Sequence, residues 1–298
     1  MGATPETSGD RSTAARPVDG PGRDPRTRLR WHRTTLDGRI AAYGEVGEGT
    51  PLVFLHGWGI TSRAYARTLP ALAASGVRVI APALPGFGKS EEVPGGLTWE
   101  RLARWVDQLL DHVGADEPAF FVGHSFGGGV ATMTAWHHPE RVRSLVLVNS
   151  IGGSQWKSDR TLADRPLWDW GLHLPVEWAR KGYRRVLPVV LRDLTENLVR
   201  HPANLLRAAR LAASADLRDE LSELAARGLP VTILWGERDR ILPQSAFVAL
   251  CEAAGDAGDV IPGSAHSWLL ADPDGFGELI TNSLTIHSLL TRTARAAS

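Results

Sequence analysis

Ser125, Asp239 and His266 are the residues whose types and surroundings could do chemistry together. Ser125 lies in Gly123-His124-Ser125-Phe126-Gly127, a G-x-S-x-G pentapeptide. Phe120 to Val122 is a short apolar run that reads as the end of a buried strand, and from Val130 the chain turns alanine-rich and helix-prone. Strand, tight turn and helix in that order lift a serine hydroxyl clear of a sheet edge. So sharp a turn drives the serine toward unfavourable backbone angles, and glycines two before and two after it leave room. The helix N-terminus behind it favours developing negative charge through its free N–H groups and its dipole.

A serine is a weak nucleophile unless a base takes its proton, and the base must itself be oriented. Loops that follow parallel strands converge at one sheet edge, so partners are sought there. Asp239, in Trp235-Gly236-Glu237-Arg238-Asp239, follows a strand-like run, with Glu237 close enough to compete as the acid. His266, in Pro262-Gly263-Ser264-Ala265-His266, follows the last such run. Of the ten histidines, His137 and His138 read as a helix end before Pro139, and His112 and His173 lack a strand-end context. Asp239 would hold the His266 ring in one tautomer, and His266 would take the Ser125 proton and return it to the leaving group. Negative charge on a tetrahedral intermediate needs preorganised donors. The backbone N–H of Phe126 is one candidate. The N–H of Trp58, in His56-Gly57-Trp58-Gly59 after an earlier apolar strand, is the other. His56 reads as a structural hydrogen-bonding group of that loop rather than a second base.

The remaining pattern says what must position these groups. Asp37-Gly38 between Arg30–Leu36 and Arg39–Tyr43 is a hairpin signal. Leu52–Leu55, Val77–Ala81, Phe120–Val122, Leu145–Val148, Val231–Trp235 and Asp259–Ile261 read as strands. Helices are expected over Ser62–Ala74, capped by Ser62, from Thr98 to Gly114, after the serine to His137, over Pro243–Ala254 and over Pro273–Arg292. Interior strands that are apolar without alternation argue for a mostly parallel sheet with both faces covered. The alternation fails between Gly152 and Ala215, where helical segments and no convincing strand are visible.

Composition bounds the rest. The 298 residues are 43% hydrophobic and 22% charged with a formal net charge of zero, so nothing points to nucleic acid or an anionic membrane. A single cysteine, Cys251, excludes an internal disulfide and reads as a buried, inert thiol. No apolar run approaches the roughly 18 residues of a membrane span. Residues 1–29 are rich in Pro, Gly, Ser, Thr and Arg, read as a disordered tail, and lack the apolar core of a secretory signal. Gly86-Phe87-Gly88-Lys89-Ser90 lacks the spacing of a nucleotide-binding phosphate loop.

The chain from about Arg30 onward resembles the α/β-hydrolase superfamily. The resemblance is carried by His56-Gly57-Trp58-Gly59, Pro85-Gly86-Phe87-Gly88-Lys89-Ser90, Gly123-His124-Ser125-Phe126-Gly127-Gly128, Gly236-Glu237-Arg238-Asp239 and Gly263-Ser264-Ala265-His266. It implies an α/β fold with an eight-stranded, mostly parallel sheet whose second strand is antiparallel, helices on both faces and a helical lid inserted after the sixth strand. It implies a cofactor-free, metal-free Ser-His-Asp hydrolase. Relatives that use an aspartate at the elbow, haloalkane dehalogenases and epoxide hydrolases, are disfavoured by Ser125. Asn149, where some relatives place the acid, is neutral and leaves Asp239 as the better choice.

The domain expectation is therefore a tail over 1–29, a core over 30–151 and 216–298, and a lid over 152–215. Trp156, Trp168, Trp170 and Trp178 would help the lid pack on its host and could face an apolar substrate. The expected activity is cleavage of a small carboxylic ester through an acyl-enzyme. A carbon–carbon bond hydrolase, a lactonase, a haloperoxidase-like enzyme and a non-catalytic ligand-binding protein stand as alternatives. The expected partner is a small apolar acyl compound, the expected location cytoplasmic, and the oligomeric state is left open.

Overall fold

Asp37 and Gly38 both adopt positive φ, 47° and 76°, and so reverse the chain between β1 (Arg30–Leu36) and β2 (Arg39–Val46). This computed structural model describes residues 28–153, 155–157, 160–161 and 183–297; the four tail and lid expectations at 1–27, Trp168, Trp170 and Trp178 lie outside them. β3 (Thr50–Leu55), β4 (Val77–Pro82), β5 (Ala119–His124) and β6 (Val142–Val148) follow. A separate two-stranded sheet, β7 (Gln155–Lys157) and β8 (Arg160–Thr161), precedes β9 (Val231–Gly236) and β10 (Asp259–Ile261). The main sheet has eight strands in the order β1-β2-β4-β3-β5-β6-β9-β10. β2 runs antiparallel to both its neighbours, and every other pairing beyond it is parallel.

Side chains alternate between the two faces, so each strand feeds two apolar layers. Val53, Leu55, Phe121, Leu145, Leu147, Ile233 and Trp235 pack on one face with α2 (Trp99–His112), α3 (Phe126–His137), α6 (Arg218–Ala226) and α7 (Gln244–Ala254). Leu52, Phe54, Phe120, Val122, Val146, Val148 and Leu234 pack on the other with α1 (Thr68–Ala73), α8 (Trp268–Ala271) and α9 (Pro273–Ala297). Thr98 caps α2, its side chain accepting from the Arg101 N–H, and Leu102, Trp105, Val106, Leu109 and Leu110 form the buried stripe. Cys251 is partly buried, and burial pushes its thiol up to about 11.

Two expectations need correction. The helix expected over Ser62–Ala74 is a 3-10 turn, Ser62–Tyr65, followed by α1. Its cap is Thr61, whose side chain accepts from the Arg63 N–H, and Pro70 in the first turn of α1 fits a fresh helix start better than a helix interior. The stretch read as strand-free contains β7 and β8. It also contains α4 (Leu187–Arg200) and α5 (Pro202–Ala213). Bridges from Gly152 and Gly153 to Asp216, with the Leu217 N–H donating to the Gly152 carbonyl at 2.9 Å, bring the ends of this stretch together.

Parallel register decides where chemistry can gather. Leu55 pairs with Gly123, His124 with Val148, Val148 with Leu234, and Ile261 with Gly236. The carboxyl ends of β3, β5, β6, β9 and β10 therefore form one rim, and the loops after them start side by side.

Candidate active site

Ser125 sits at that rim with φ 53° and ψ −116°, a strained conformation for a residue with a side chain. The surroundings enforce it. The Ser125 N–H donates to the Val148 carbonyl at 3.0 Å, and the Ser125 carbonyl accepts from the Gly128 N–H at 3.0 Å. A Cβ on Gly123 would lie 2.5 Å from the Gly127 carbonyl oxygen, and one on Gly127 would lie 2.1 Å from the Leu55 carbonyl oxygen. The two glycines that flank the serine are thus required by close backbone approach. α3 starts directly behind it and is buried on nearly all sides, which explains why its sequence lacks an amphipathic stripe.

Asp239 and His266 meet. His266 Nδ1 donates to Asp239 Oδ2 at 2.7 Å. The same oxygen accepts from Asn149 Nδ2 at 2.7 Å, and Asp239 Oδ1 accepts from the backbone N–H groups of Ile241 and Leu242 at 2.7 and 2.8 Å. The carboxylate is 1% exposed, and both of its oxygens are partnered in the orientation that serves the imidazole. Glu237 points elsewhere, accepting from the Gly263 N–H at 2.6 Å, and is largely exposed. Asn149 is a residue that the sequence undervalued. It holds φ 43°, is fully buried, and its Oδ1 accepts from the Gly236 N–H and from Trp268 Nε1 at 3.2 and 3.0 Å. It locks the acid loop to the histidine loop.

Ser125 and His266 line one cavity of about 60 Å³ with Gly57, Trp58, Ile60, Val190, Leu194, Ile241 and Leu270. Apart from Ser125, Ser267, His124 and His266, its described walls are apolar, and they hold no Lys, Arg, Asp or Glu. A larger cavity of about 340 Å³ is lined by Arg33, Arg63, Lys89, Asp193 and Glu196 among others, and none of Ser125, Asp239 or His266 reaches it. Chemistry rather than volume singles out the smaller one.

The loop after β3 borders the smaller cavity. His56 Nδ1 donates to the Gly57 carbonyl at 2.9 Å, and His56 Nε2 accepts from the Leu84 N–H at 2.9 Å. That carbonyl belongs to the peptide whose other end is the Trp58 N–H, so His56 fixes the direction of that amide. Burial pushes the His56 imidazole down to about 4, which removes it as a base near neutrality. Among the described residues the Trp58 and Phe126 N–H groups donate to no protein acceptor. The Trp58 ring is anchored on α5, Nε1 donating to the Leu205 carbonyl at 2.8 Å. In the loop after β4, the Gly88 N–H donates to Asn197 Oδ1 at 2.6 Å and Lys89 pairs with Glu196. These groups of the glycine-rich stretch are taken up by α4.

A mostly parallel sheet with a strained serine at its rim and an aspartate–histidine pair in two neighbouring loops defines a hydrolase of the α/β type. The model of the alpha/beta hydrolase fold family matches residues 50–273, and the chain belongs to that family. A Mycobacterium phage D29 protein that bears the name of a non-heme haloperoxidase is 33% identical over 85% of this chain and 95% of its own. The pimeloyl-[acyl-carrier protein] methyl ester esterase of Aeromonas hydrophila subsp. hydrophila is 32% identical over 78% of this chain and 95% of its own. Among solved structures, a serine hydrolase involved in carbazole degradation superposes with a TM-score of 0.72 at 20% identity, covering 87% of this chain and 100% of that one. The protein is accordingly an enzyme of the hydrolase type.

Proposed function

We propose that the protein cleaves a small carboxylic ester through an acyl-enzyme, with Ser125 as nucleophile, His266 as general base and acid, and Asp239 as the group that orients and charges against His266. The observation that carries this is the 2.7 Å bond from His266 Nδ1 to a fully partnered Asp239, with His266 sharing a cavity with the strained Ser125. Serine attack on the ester carbonyl passes the hydroxyl proton to His266 Nε2. The resulting oxyanion takes the N–H groups of Trp58 and Phe126, and His266 returns the proton to the departing alkoxide. Water then repeats the sequence on the acyl-serine and frees the acid.

The mostly apolar walls support a neutral, short acyl group as substrate, and the name of the Aeromonas methyl ester esterase is in keeping with an ester as the bond cleaved. We further propose that residues 152–215 act as a lid on a core of 30–151 and 216–298, and that the enzyme works in the cytoplasm. Hydrolysis of p-nitrophenyl acetate and butyrate by wild type and Ser125→Ala tests the reaction; equal, slow rates for both would end it. A panel of a lactone, a ring-cleavage diketone and a halide with peroxide separates the alternatives on the same residues. kcat/KM should rise with pH as His266 gives up its proton, and because burial holds His56 and His124 well below the usual histidine range, one ionisation should dominate that limb. A flat profile from about pH 5 to about pH 9 would remove His266 as the base.

A further inference from the structure

His124, the first of the two unspecified residues of the G-x-S-x-G pentapeptide, is 1% exposed, and Tyr65, in the 3-10 turn after the β3 loop, is wholly buried beside it. Neither has a part in the reaction proposed above. We propose that Tyr65 and His124 are positioning residues, a hydrogen-bonded chain that holds the oxyanion loop and the backbone of His266 at a fixed separation across the serine turn. This rests on the hydrolase reading.

The chain has three links. The Gly57 N–H donates to Tyr65 Oη at 3.2 Å, Tyr65 Oη donates to His124 Nδ1 at 2.7 Å, and His124 Nε2 donates to the His266 carbonyl at 3.0 Å. The proton order follows from the ends. A carbonyl only accepts, so His124 carries its proton on Nε2. A neutral ring then offers Nδ1 as an acceptor, the tyrosine hydroxyl must donate to it, and the phenolic oxygen is left to accept from Gly57. Burial, with the neighbouring His266 adding to it, holds the His124 imidazole far below its usual range, so the ring stays neutral while His266 gains charge. Burial likewise pushes the Tyr65 phenol upward, so it keeps the proton it donates.

Steric contact reinforces the polar one. A Cβ on Gly57 would stand 3.0 Å from His124 Nδ1 and 3.4 Å from Ser125 Cβ, so the oxyanion loop rests directly on the serine turn. The His124 and His266 rings lie 5.0 Å apart between centroids. Asp239 sets the His266 ring, while His124 holds the His266 backbone. The segments joined by the chain are those that carry the Trp58 N–H and the His266 imidazole. Their separation decides whether one tetrahedral intermediate can set its oxyanion against the Trp58 N–H and its leaving oxygen against the imidazole.

Tyr65→Phe keeps the ring that packs 4.7 Å from Phe54 and removes only the hydroxyl. The expected result is a kcat for p-nitrophenyl butyrate lower by about tenfold to a hundredfold, with KM within about twofold of wild type. His124→Gln, whose amide can still donate toward the His266 carbonyl, should retain more of kcat than His124→Ala. Imidazole nitrogen NMR of the wild-type protein should show His124 as the Nε2–H tautomer, without titration between about pH 5 and about pH 9. A wild-type kcat in Tyr65→Phe, or the Nδ1–H tautomer at His124, overturns the proposal. The NMR measurement needs no turnover, so failure of the chain is told apart from failure of the hydrolase reading, which Ser125→Ala decides.

Discussion

The sheet and the helices α4 and α5 that follow β6 are held by different mixtures of forces: α4 and α5 bury Val190, Leu205, Ala208 and Ala212 in the apolar layers, and add buried side-chain hydrogen bonds to that. The sheet is sealed by apolar side chains with no exposure, such as Leu52, Val53, Phe54, Leu55, Phe121 and Val146. Helices α4 and α5 approach the same rim with buried polar residues. Asp193 Oδ2 accepts from the Thr61 N–H and hydroxyl at 2.9 and 2.6 Å. Asn197 accepts from the Gly88 N–H and donates to the Gly59 carbonyl at 3.0 Å, while Asn204 Nδ2 donates to the Pro85 and Gly86 carbonyls at 3.2 and 3.0 Å. Apolar burial is strong and non-directional, at about 25 cal/mol per Å². Each of these hydrogen bonds adds a net of only about 0.5–1.5 kcal/mol, or about 1.5–3 where one partner is charged, but fixes direction. The sheet therefore makes a rigid frame for Ser125, Asp239 and His266. Helices α4 and α5 are registered on the loops after β3 and β4, the first of which borders the cavity, by individual directional bonds.

The contrast is sharpest at Gly127. Gly127→Ala drives a Cβ into the Leu55 carbonyl at 2.1 Å, where only backbone could yield, and should destabilise the protein by more than about 3 kcal/mol. Soluble yield and thermal melting measure this, and a normal melt would show that the elbow is not close-packed. Asp239→Ala comes next. It should lower kcat by about a thousandfold to ten-thousandfold while leaving a folded protein, because the imidazole loses its orienting charge. Steady-state kinetics with circular dichroism check it; a loss under about tenfold would shift the role to another acid.

On the inserted side the effects should be smaller and of another kind. Asp193→Ala strands the Thr61 N–H and hydroxyl and should cost about 1–3 kcal/mol. Its signature is faster proteolysis within α4 and α5 and a raised KM, with kcat little changed; a kcat collapse would mean that the docking governs the chemistry itself. Asp193→Asn should do least, and in the opposite direction. Burial raises the Asp193 carboxyl above its ordinary value, outweighing the Thr61 bonds that lower it. The native state then holds this proton more tightly than the unfolded chain, so its contribution favours folding at low pH and is lost as pH rises from the unfolded to the native value. A neutral amide that still accepts from Thr61 avoids that loss, so the melting temperature at pH 7 should match or slightly exceed wild type.

Much of the frame was legible because its signals are local. Asp37-Gly38 marked a turn that needs positive φ at both positions, and the glycines around Ser125 marked one that no Cβ would survive. Thr61 and Ser62 are both good caps, and local chemistry does not choose between them. The structure places Thr61 in the capping position and gives its N–H and hydroxyl to Asp193, far along the chain. Asn149 showed as a neutral amide and nothing more, since its partners Asp239, Gly236 and Trp268 come from other loops. His56 was read correctly as a loop-bound histidine, but that its acceptor is the peptide of the Trp58 N–H was not visible.

Sequence alone determined the chain order of the eight main-sheet strands, the tight turn at Ser125 and the chain order of serine, aspartate and histidine, because periodicity, turn sterics and glycine spacing act within a few residues. Tertiary structure alone decided that Asp239 and not Glu237 meets His266, that Asn149 braces that pair, and that Asp193, Asn197 and Asn204 dock the inserted helices. Those outcomes depend on which loops the parallel register sets side by side, and on buried polar groups finding partners that are distant in the chain.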